Sequence, residues 1–267
     1  MNPYIALPRV PVIHGRQGFI LKKCTGRRVL HLGCVDAGLL HVRLQRGELM
    51  HQKLAHVAGE LWGVDIDAEG ISFLRDQGFD NLAIGDICEL ERIQGLEDKK
   101  FDVIVASEVV EHLLNPGLFL TSVKALMIPE KTELIVTVPN AFRIATLLSL
   151  LRGVEYVHPD HNYWFSYHTI TNLLRKCGLE ISQVRVYSFQ TSRILPGRTK
   201  RPLDSFDRCD QDEDDLNLSR PSPHLYRQAL ACLRSFPRRL VGFVLYRTTA
   251  FWGDGIIIVA RVPEDVC

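Results

Sequence analysis

The chain has 267 residues, of which 46% are hydrophobic and 24% are charged, so it can bury one large core or two small ones. This composition excludes a disordered chain and an array of repeats. The 32 Lys and Arg residues nearly balance the 31 Asp and Glu residues, so no overall charge draws the protein onto nucleic acid or an anionic membrane. A small or weakly charged substrate is therefore expected.

The use of cysteine predicts a cytoplasmic protein. Seven cysteines are scattered along the chain without a Cys-x-x-Cys pair, and no secretory leader precedes them, which is typical of a reducing compartment. No membrane span is expected, because no stretch reaches the run of about 18 apolar residues that a spanning helix needs. The longest apolar segment, 240–251, is interrupted by Gly242, Arg247 and two threonines.

From Arg27 onward, short β-branched runs alternate with longer helical segments, which is typical of an α/β fold. The pattern predicts a doubly wound, mostly parallel sheet covered by helices on both faces. Its seven predicted strands are 28–32, 60–64, 81–84, 101–106, 133–138, 179–187 and 255–262. The predicted helices are 53–58, 68–76, 110–114, 117–127 and 169–176, with Gly78 and Gly178 as C-terminal stops.

The chain divides into four predicted parts. Residues 1–26 form an N-terminal segment, and residues 27–190 form the core. Residues 191–223 are rich in Arg, Pro, Ser and Asp and show no periodicity, which predicts a mobile loop. Residues 224–267 supply a helical segment, broken near Pro237, and the final core strand. Packing on the core is the preferred role of this helical segment, and a membrane-surface or partner helix is the alternative.

The first predicted strand ends in a turn with Gly33 and Gly38 at its two ends. Open α/β sheets bind ligands at this place, where the strand order reverses. A dinucleotide site also needs glycine in the middle of the turn, where this chain has Val35, whose side chain would meet a pyrophosphate. S-adenosylmethionine carries no phosphate, so the turn still suits its ribose and methionine parts. Such a pair of glycines also occurs for packing alone.

Two acidic residues close the next two predicted strands. Asp65 ends the second strand, where its carboxylate can accept hydrogen bonds from both hydroxyls of a ribose. Asp86 ends the third strand and can accept from the amine of an adenine. Either residue alone is also explained as a helix N-cap. The two acids and the turn, in this order along the chain, favour a nucleoside ligand.

In this order, the motifs resemble those of the class I S-adenosylmethionine-dependent methyltransferases, of the small-molecule type that includes quinone-biosynthetic O-methyltransferases. The segments FDVIVASEVVEH at 101–112 and ELIVTVPN at 133–140 complete the resemblance, which covers 27–187 and the last strand. It implies an antiparallel last strand and S-adenosylmethionine as cofactor. The family usually has an acid where His31 stands and a glycine where Val35 stands. The cofactor contacts that follow are Gly33, Cys34, Gly38, Asp65, Ile66, Asp86, Ile87 and Ser107.

Methyl transfer from a sulfonium to a hydroxyl requires alignment of the acceptor and removal of its proton. Glu108, Glu111 and His112 follow the fourth strand at offsets that put them on one face of a predicted helix, and His161 lies in a later aromatic segment. Two carboxylates and two histidines suit a divalent ion, Mg²⁺ or Mn²⁺, and the spacing resembles the metal site of small-RNA 2′-O-methyltransferases. The alternatives are His112 or His161 acting as an unassisted base near Glu111, and catalysis by proximity alone.

The preferred function is methylation of a hydroxyl on a small metabolite or glycan-like acceptor in a biosynthetic pathway. An RNA 2′-O-methyltransferase is an alternative, although the balanced charge and the lack of an added RNA-binding module argue against nucleic acid as a partner. A non-catalytic relative of the fold that binds a ligand or partner is a second alternative, prompted by His31 and Val35. The sequence leaves the acceptor and the oligomeric state open.

Overall fold

One eight-stranded sheet organises the residues that the computed structural model describes, which are 4–151, 153–189 and 249–264. The predicted loop 191–223 lies outside these residues, as does the predicted helix 224–251 except for its last three positions. The strands are β1 Val12–His14, β2 Arg28–Leu32, β3 Glu60–Asp65, β4 Leu82–Ile84, β5 Val103–Ser107, β6 Glu133–Pro139, β7 Glu180–Ser188 and β8 Gly255–Arg261.

The strand order is β1-β7-β8-β6-β5-β2-β3-β4, and β8 is antiparallel to both of its neighbours while all other pairs are parallel. The predicted doubly wound sheet with an antiparallel last strand is thus confirmed. The strand count of seven was too low by one. The additional strand, β1, has three residues and pairs only with the edge of β7, so it is too short to show a periodicity of its own.

The described helices are α1 Gln17–Cys24, α2 Leu40–Gln45, α3 Met50–Ala55, α4 Ala68–Asp76, α5 Pro116–Leu126, α6 Ile144–Leu150 and α7 Tyr167–Lys176. The helix predicted at 110–114 is wrong: Val110–His112 is a single 3-10 turn, because the chain becomes extended at Leu113. Within the described part of the chain, no helix is long and apolar enough to cross a bilayer.

Alternating strand residues supply two cores, one on each face of the sheet. On one face, Leu30 and Ile104 pack with Phe119 of α5 and Ile170 of α7. On the other face, Val103 of β5 belongs to a separate cluster that includes residues of α1 and α3. Because side chains of a strand point alternately to opposite faces, both faces of these central strands are apolar and both are covered by helices.

The chain reverses direction across the sheet between β2 and β5. It leaves β2 toward β3 and β4 at one edge, then returns to β5 on the other side of β2. Neighbouring loops therefore diverge at the carboxyl ends of β2 and β5 and leave a crevice, which is where ligands bind in sheets of this kind. This topology selects the edge at which a functional site is expected.

A buried carboxylate holds several elements together at the end of the sheet away from this crevice, where the parallel strands begin. Glu133, at the start of β6 and only 4% exposed, accepts hydrogen bonds from Lys23 at 3.0 Å, Arg27 at 2.7 Å and Arg261 at 2.8 Å. Burial alone would raise the pKa of Glu133, but the hydrogen bonds from Arg27, Lys23 and Arg261 lower it to about 2. This carboxylate joins α1, β6 and β8 to the start of β2.

Glu133→Gln should destabilise the fold by about 2 to 3 kcal/mol, because three cations would then share one neutral acceptor. Chemical denaturation at neutral pH measures the free energy of unfolding. Glu180→Gln, which removes an exposed carboxylate at the start of β7, is the matched control and should change stability by less than about 0.5 kcal/mol. Equal stability of the two variants would contradict a structural role for Glu133.

Candidate active site

Gly33 begins the turn that follows β2, and its position requires glycine for two reasons. Its φ is +71°, a left-handed conformation that other residues adopt with strain, and a Cβ atom there would lie 2.7 Å from Cγ2 of Val109. The turn therefore lies directly against the segment that follows β5. The amide of Gly33 donates to the carbonyl oxygen of Val64 at 2.9 Å, which extends the pairing of β2 with β3.

The side chain of Val35, expected from the sequence to meet the pyrophosphate of a dinucleotide, does not project from the turn. Its side chain is 1% exposed and packs against Gly70 of α4, so it points into the core and not toward a ligand above the turn. Cys34 is equally buried, which leaves its backbone as the part that a ligand could contact. Gly38, at the other end of the turn, has φ +79° and open space around it.

The carboxylate of Asp65 shapes this turn from the end of β3. Its Oδ2 accepts a hydrogen bond from the amide of Val35 at 2.8 Å, and its Oδ1 accepts from the amide of Asp67 at 3.1 Å. Each carboxylate oxygen can accept more than one hydrogen bond, so both retain capacity for a ligand hydroxyl. Asp65 is thus oriented by backbone before any ligand binds.

Asp86 lies on the adjacent strand end, since the residue before it, Gly85, donates its amide to the carbonyl oxygen of Asp65 at 3.0 Å. Its Oδ1 accepts from the amide of Cys88 at 2.8 Å, so Asp86 is an N-cap of the following 3-10 turn and remains exposed to solvent. Ile87 is buried, whereas Ile66 beside Asp65 is 71% exposed. These residues form an apolar and acidic rim at the carboxyl ends of β3 and β4.

His31 occupies the position where the family usually has an acid, and it is paired with a second histidine. Its Nδ1 lies 3.3 Å from Nδ1 of His51, and the two rings are stacked at an interplanar angle of 11°. Burial, together with His51, lowers the pKa of His31 well below its ordinary value, and burial lowers the pKa of His51 to about 4. Both imidazoles are therefore neutral at physiological pH, and the Nδ1–H of one ring donates to the Nδ1 of the other.

A chain of hydrogen bonds connects the carboxyl ends of β5, β6 and β7. Arg16 donates from Nε to Oγ of Ser107 at 2.9 Å, and Ser107 lies 3.0 Å from Oγ1 of Thr137. Thr137 donates to Oε1 of Glu108 at 2.8 Å, and the hydroxyl of Tyr187 donates to the same oxygen at 3.0 Å. Thr137 uses its only hydroxyl proton for the bond to Glu108, so Ser107 must donate to Thr137. The donor and the acceptor of each of these hydrogen bonds are therefore fixed.

Glu108 is held in a left-handed backbone conformation with φ +58°. Its amide donates to the carbonyl oxygen of Thr137 at 3.0 Å and contacts the hydroxyl of the same residue at 3.1 Å. A non-glycine residue in this conformation costs on the order of 1 kcal/mol, which these bonds offset. The conformation turns the chain sharply after β5 and aims the segment that follows toward the crevice.

Arg16 is a partly buried cation near this carboxylate. Burial by itself would lower its pKa, but the nearby negative charge of Glu108 and the proximity of Tyr187 and Glu111 raise it. Its two terminal nitrogens form no hydrogen bond within the described part of the chain. The guanidinium therefore has donors to spare at the carboxyl edge of the sheet.

Glu111 has a buried carboxyl group whose two oxygens have no hydrogen-bond partner among the described residues. Burial, reinforced by the charge of Glu108, raises the pKa of Glu111 to about 9. The side chain is consequently protonated at neutral pH. Its backbone carbonyl oxygen accepts from the amide of Asn162 at 2.8 Å and from that of Tyr163 at 3.3 Å.

These backbone contacts bring a distant loop onto the 3-10 turn. The side chain of Asn162 also donates to the carbonyl oxygen of His112 at 2.7 Å. The hydroxyl of Tyr163 donates to the carbonyl oxygen of Leu114 at 3.0 Å. The loop carries His158 and His161. The result is that three histidines from two segments meet beside the crevice.

The ring of His112 lies 4.6 Å from that of His161 and 5.6 Å from that of His158, measured between centroids. One ligand atom from each of the three residues lies within 4.8 Å of the others. Burial and the neighbouring imidazoles lower the pKa of His161 to about 4, and burial and His158 also lower that of His112. Nδ1 of His161 is buried and has no partner among the described residues.

The four residues predicted to bind a metal are thus only partly brought together. His112 and His161 converge, while Glu108 and Glu111 lie outside the cluster and His158 takes part instead. Of the aromatic residues nearby, Tyr163 is exposed, and Phe165 is buried in the core.

Three residues of the site went unrecognised in the sequence. Arg16 precedes α1 in a segment without a motif, and Thr137 and Tyr187 occur within ordinary strand patterns. The only available signal was their position at strand ends, which becomes informative once the order of strands is known.

Acid should destabilise the protein through the His31–His51 pair. The folded pKa of His51, about 4, lies below the ordinary value of 6.5, so as pH falls between these values the unfolded chain takes up protons that the folded protein does not. His51→Gln, which stays neutral, should lose about 2 to 3 kcal/mol less than wild type over this range in denaturation experiments. The exposed His168→Gln serves as control, and parallel curves for all three proteins would refute the prediction.

Comparison with known proteins agrees with this geometry. A family model described as a methyltransferase domain matches residues 12–184. The mitochondrial ubiquinone biosynthesis O-methyltransferase of Arabidopsis thaliana is 26% identical over 161 residues, which are 56% of this chain and 49% of that protein. The ubiquinone biosynthesis O-methyltransferase of Bradyrhizobium diazoefficiens is 31% identical over 134 residues, which are 49% of this chain and 47% of that protein. The chain spans about half the length of these relatives.

Among solved structures, the small RNA methyltransferase HEN1 superposes with a TM-score of 0.50 at 15% identity, over 93% of this chain and 25% of that chain. This likeness shows the fold alone. The family model, in contrast, covers more than half of the sequence, including β1 to β6 and the turn at Gly33. The chain therefore belongs to the methyltransferase-domain family, within the class I S-adenosylmethionine-dependent methyltransferases.

Proposed function

We propose that the protein transfers the methyl group of S-adenosylmethionine to a hydroxyl of a small-molecule acceptor in a biosynthetic pathway. The observation that carries the proposal is the cluster of His112, His158 and His161, whose ligand atoms lie within 4.8 Å of one another. His112 belongs to the segment after β5, in which Val109 lies against Gly33 of the turn. A group that can take up a proton therefore lies beside the turn that would hold the methyl donor. The ubiquinone O-methyltransferase names of the relatives support oxygen as the acceptor atom.

In this proposal, the cofactor lies over the turn between Gly33 and Gly38. Asp65 accepts from the ribose hydroxyls, and the exposed side chain of Ile66 packs on the adenine, whose amine reaches Asp86. The spare donors of Arg16 bind the carboxylate of the methionine part. The backbone amides of Cys34 and Ile87 and the hydroxyl of Ser107 complete the contacts.

The placement predicts that Asp65→Ala and Asp65→Asn bind S-adenosylmethionine about 10 to 100 times more weakly than wild type, because a charged acceptor of two hydroxyls is lost. Isothermal titration calorimetry measures the dissociation constants. Asp65→Asn keeps one acceptor oxygen for the turn, which separates loss of ligand contacts from loss of loop structure. Asp76→Ala, an exposed acid of α4, is the control, and wild-type affinity in both Asp65 variants would show the placement to be wrong.

His161 and His112 are the bases of the proposed reaction. Both are neutral at physiological pH, and the unpartnered Nδ1 of His161 can accept the proton of an acceptor hydroxyl as the methyl group is transferred. Glu111 acts as a positioning residue, since its carbonyl oxygen holds the loop that carries His158 and His161. Its protonated carboxyl keeps negative charge away from the imidazoles.

The three histidines also fit a divalent ion. Their ligand atoms lie within 4.8 Å of one another, and Nδ1 of His161 lacks a partner in the described residues. A bound ion would lower the pKa of an acceptor hydroxyl. A set of three imidazoles suits zinc and similar ions better than Mg²⁺ or Mn²⁺, which prefer the oxygen ligands that Glu108 and Glu111 would have supplied.

A chelator distinguishes the two roles of the histidines. If an ion is required, EDTA should abolish methyl transfer to a hydroxylated acceptor while S-adenosylmethionine still binds, and Zn²⁺ should restore activity better than Mg²⁺. If the histidines act as bases alone, EDTA should have no effect, while His161→Ala loses at least about tenfold in rate.

Metal analysis and a control variant complete this experiment. Zinc bound per chain should fall in His158→Ala under the metal mechanism, whereas His168→Ala, outside the cluster, should match wild type in metal content and rate. Wild-type rates in His112→Ala and His161→Ala together would exclude both roles.

A further inference from the structure

A partly buried cation stands near the histidine cluster, on the loop that follows β6. Arg143 donates from Nε to Oγ1 of Thr146 at 2.9 Å and from Nη2 to the carbonyl oxygen of Tyr156 at 3.2 Å. These two bonds come from different sides of the guanidinium group, so its orientation is fixed. Neither of these bonds is to a carboxylate.

Two aromatic rings flank the same group. The Cζ atom of Arg143 lies 4.7 Å from the centroid of the Tyr156 ring and 5.9 Å from that of Trp164. Such contacts favour a desolvated cation over a hydrated one. The guanidinium of Arg143 is therefore held in place by contacts with these two rings as well as by its hydrogen bonds.

The charge of Arg143 is not neutralised within the described residues. The nearby Glu155 accepts a hydrogen bond from Nε1 of Trp164 at 3.0 Å, and no carboxylate of the described chain forms an ion pair with Arg143. Its Nη1 has no hydrogen-bond partner there either. An oriented guanidinium with free donors is suited to bind a carboxylate or phosphate through two parallel bonds.

Arg143 lies close enough to the histidines to influence them. After burial, His112 and His158, its charge also contributes to the lowered pKa of His161. Arg16, at the ends of β5 and β7, is the cation that the proposed cofactor position uses, so Arg143 remains available for the other substrate.

We propose that Arg143 binds an anionic group, a carboxylate or a phosphate, on the acceptor that is methylated. This inference rests on the proposed function, since it assigns a chemical class to the acceptor of that reaction. The acceptor then carries its anionic group on the Arg143 side and its reacting hydroxyl toward His161. Arg143 is thereby a specificity-determining residue, selecting charged acceptors over neutral ones of the same shape.

The test uses three probes of similar shape: benzoate, phenyl phosphate and neutral benzamide. Each is titrated into the full chain, with and without S-adenosylhomocysteine, and binding is followed by the NMR signal of the Arg143 Nε–H group and by calorimetry. At least one anion should bind wild type about 10 to 100 times more tightly than benzamide. Tighter binding of benzoate identifies a carboxylate, and tighter binding of phenyl phosphate identifies a phosphate.

Variants of Arg143 test whether this residue causes the preference for an anion over benzamide. Arg143→Gln should remove the preference for the anion, and Arg143→Lys should keep part of it, because lysine retains the charge without the planar fork. Arg175→Gln, an exposed arginine at the end of α7, should behave as wild type. Equal binding of all three probes to wild type, no binding of either anion, or an unchanged preference in Arg143→Gln would each overturn the proposal.

Failure of the proposed function would look different. If S-adenosylmethionine does not bind or no hydroxyl is methylated, the anion preference at Arg143 is still measured by the titrations without cofactor. Conversely, if wild type methylates anionic and neutral acceptors of the same shape at equal rates, and Arg143→Gln methylates the anionic acceptor as fast as wild type, methyl transfer stands and a role of Arg143 in binding the acceptor is excluded.

Discussion

The hydrogen-bond chain from Arg16 through Ser107 and Thr137 to Glu108 is the interaction on which the site depends. It ties the start of α1 to the carboxyl ends of β5 and β6, and Tyr187 adds β7 by donating to the same carboxylate. With Glu108 held in its left-handed conformation, the polypeptide turns so that Val109 lies against Gly33. Loss of one link would leave buried polar groups unsatisfied, which couples the positions of these elements.

Burial raises the pKa of a carboxyl group at both ends of the strands, but the protonation states differ because only one of the two groups has cationic donors. At one end, Glu133 stays ionised because three cations donate to it. At the other, Glu111 has no such donors and is neutral, and burial lowers the pKa values of His112 and His161 so that both are neutral as well. The first group of contacts therefore contributes stability, while the second end of the strands contains buried polar atoms without partners and the guanidinium of Arg143 without an ion pair among the described residues. This division of charge is a physical basis for separating the folding of the domain from its chemistry.

The methyltransferase fold is shared by proteins of different function, so the family assignment does not define the acceptor. The relatives are matched over about half of their own length. The features that we propose to contact the acceptor lie in loops: the histidine loop at 158–161 and Arg143 with its aromatic neighbours. Loops on a rigid sheet change without disturbing the core, which is why a common cofactor site can be joined to different acceptors.

The sequence by itself indicated seven of the eight strands and the order of Gly33, Asp65 and Asp86 at successive strand ends, while the antiparallel last strand was implied by the family resemblance. The seven strands and this order follow from local signals, namely runs of β-branched residues and glycines in turns, which act over a few positions of the chain. Tertiary structure alone decided that Val35 points into the core, that Glu111 is buried and protonated, and that His158 replaces the two glutamates beside His112. The proposed roles of Arg16 and Arg143 likewise depend on the residues that surround them in the fold. Burial, protonation and the meeting of distant loops depend on which strands lie side by side, and no pattern within a single segment contains that information.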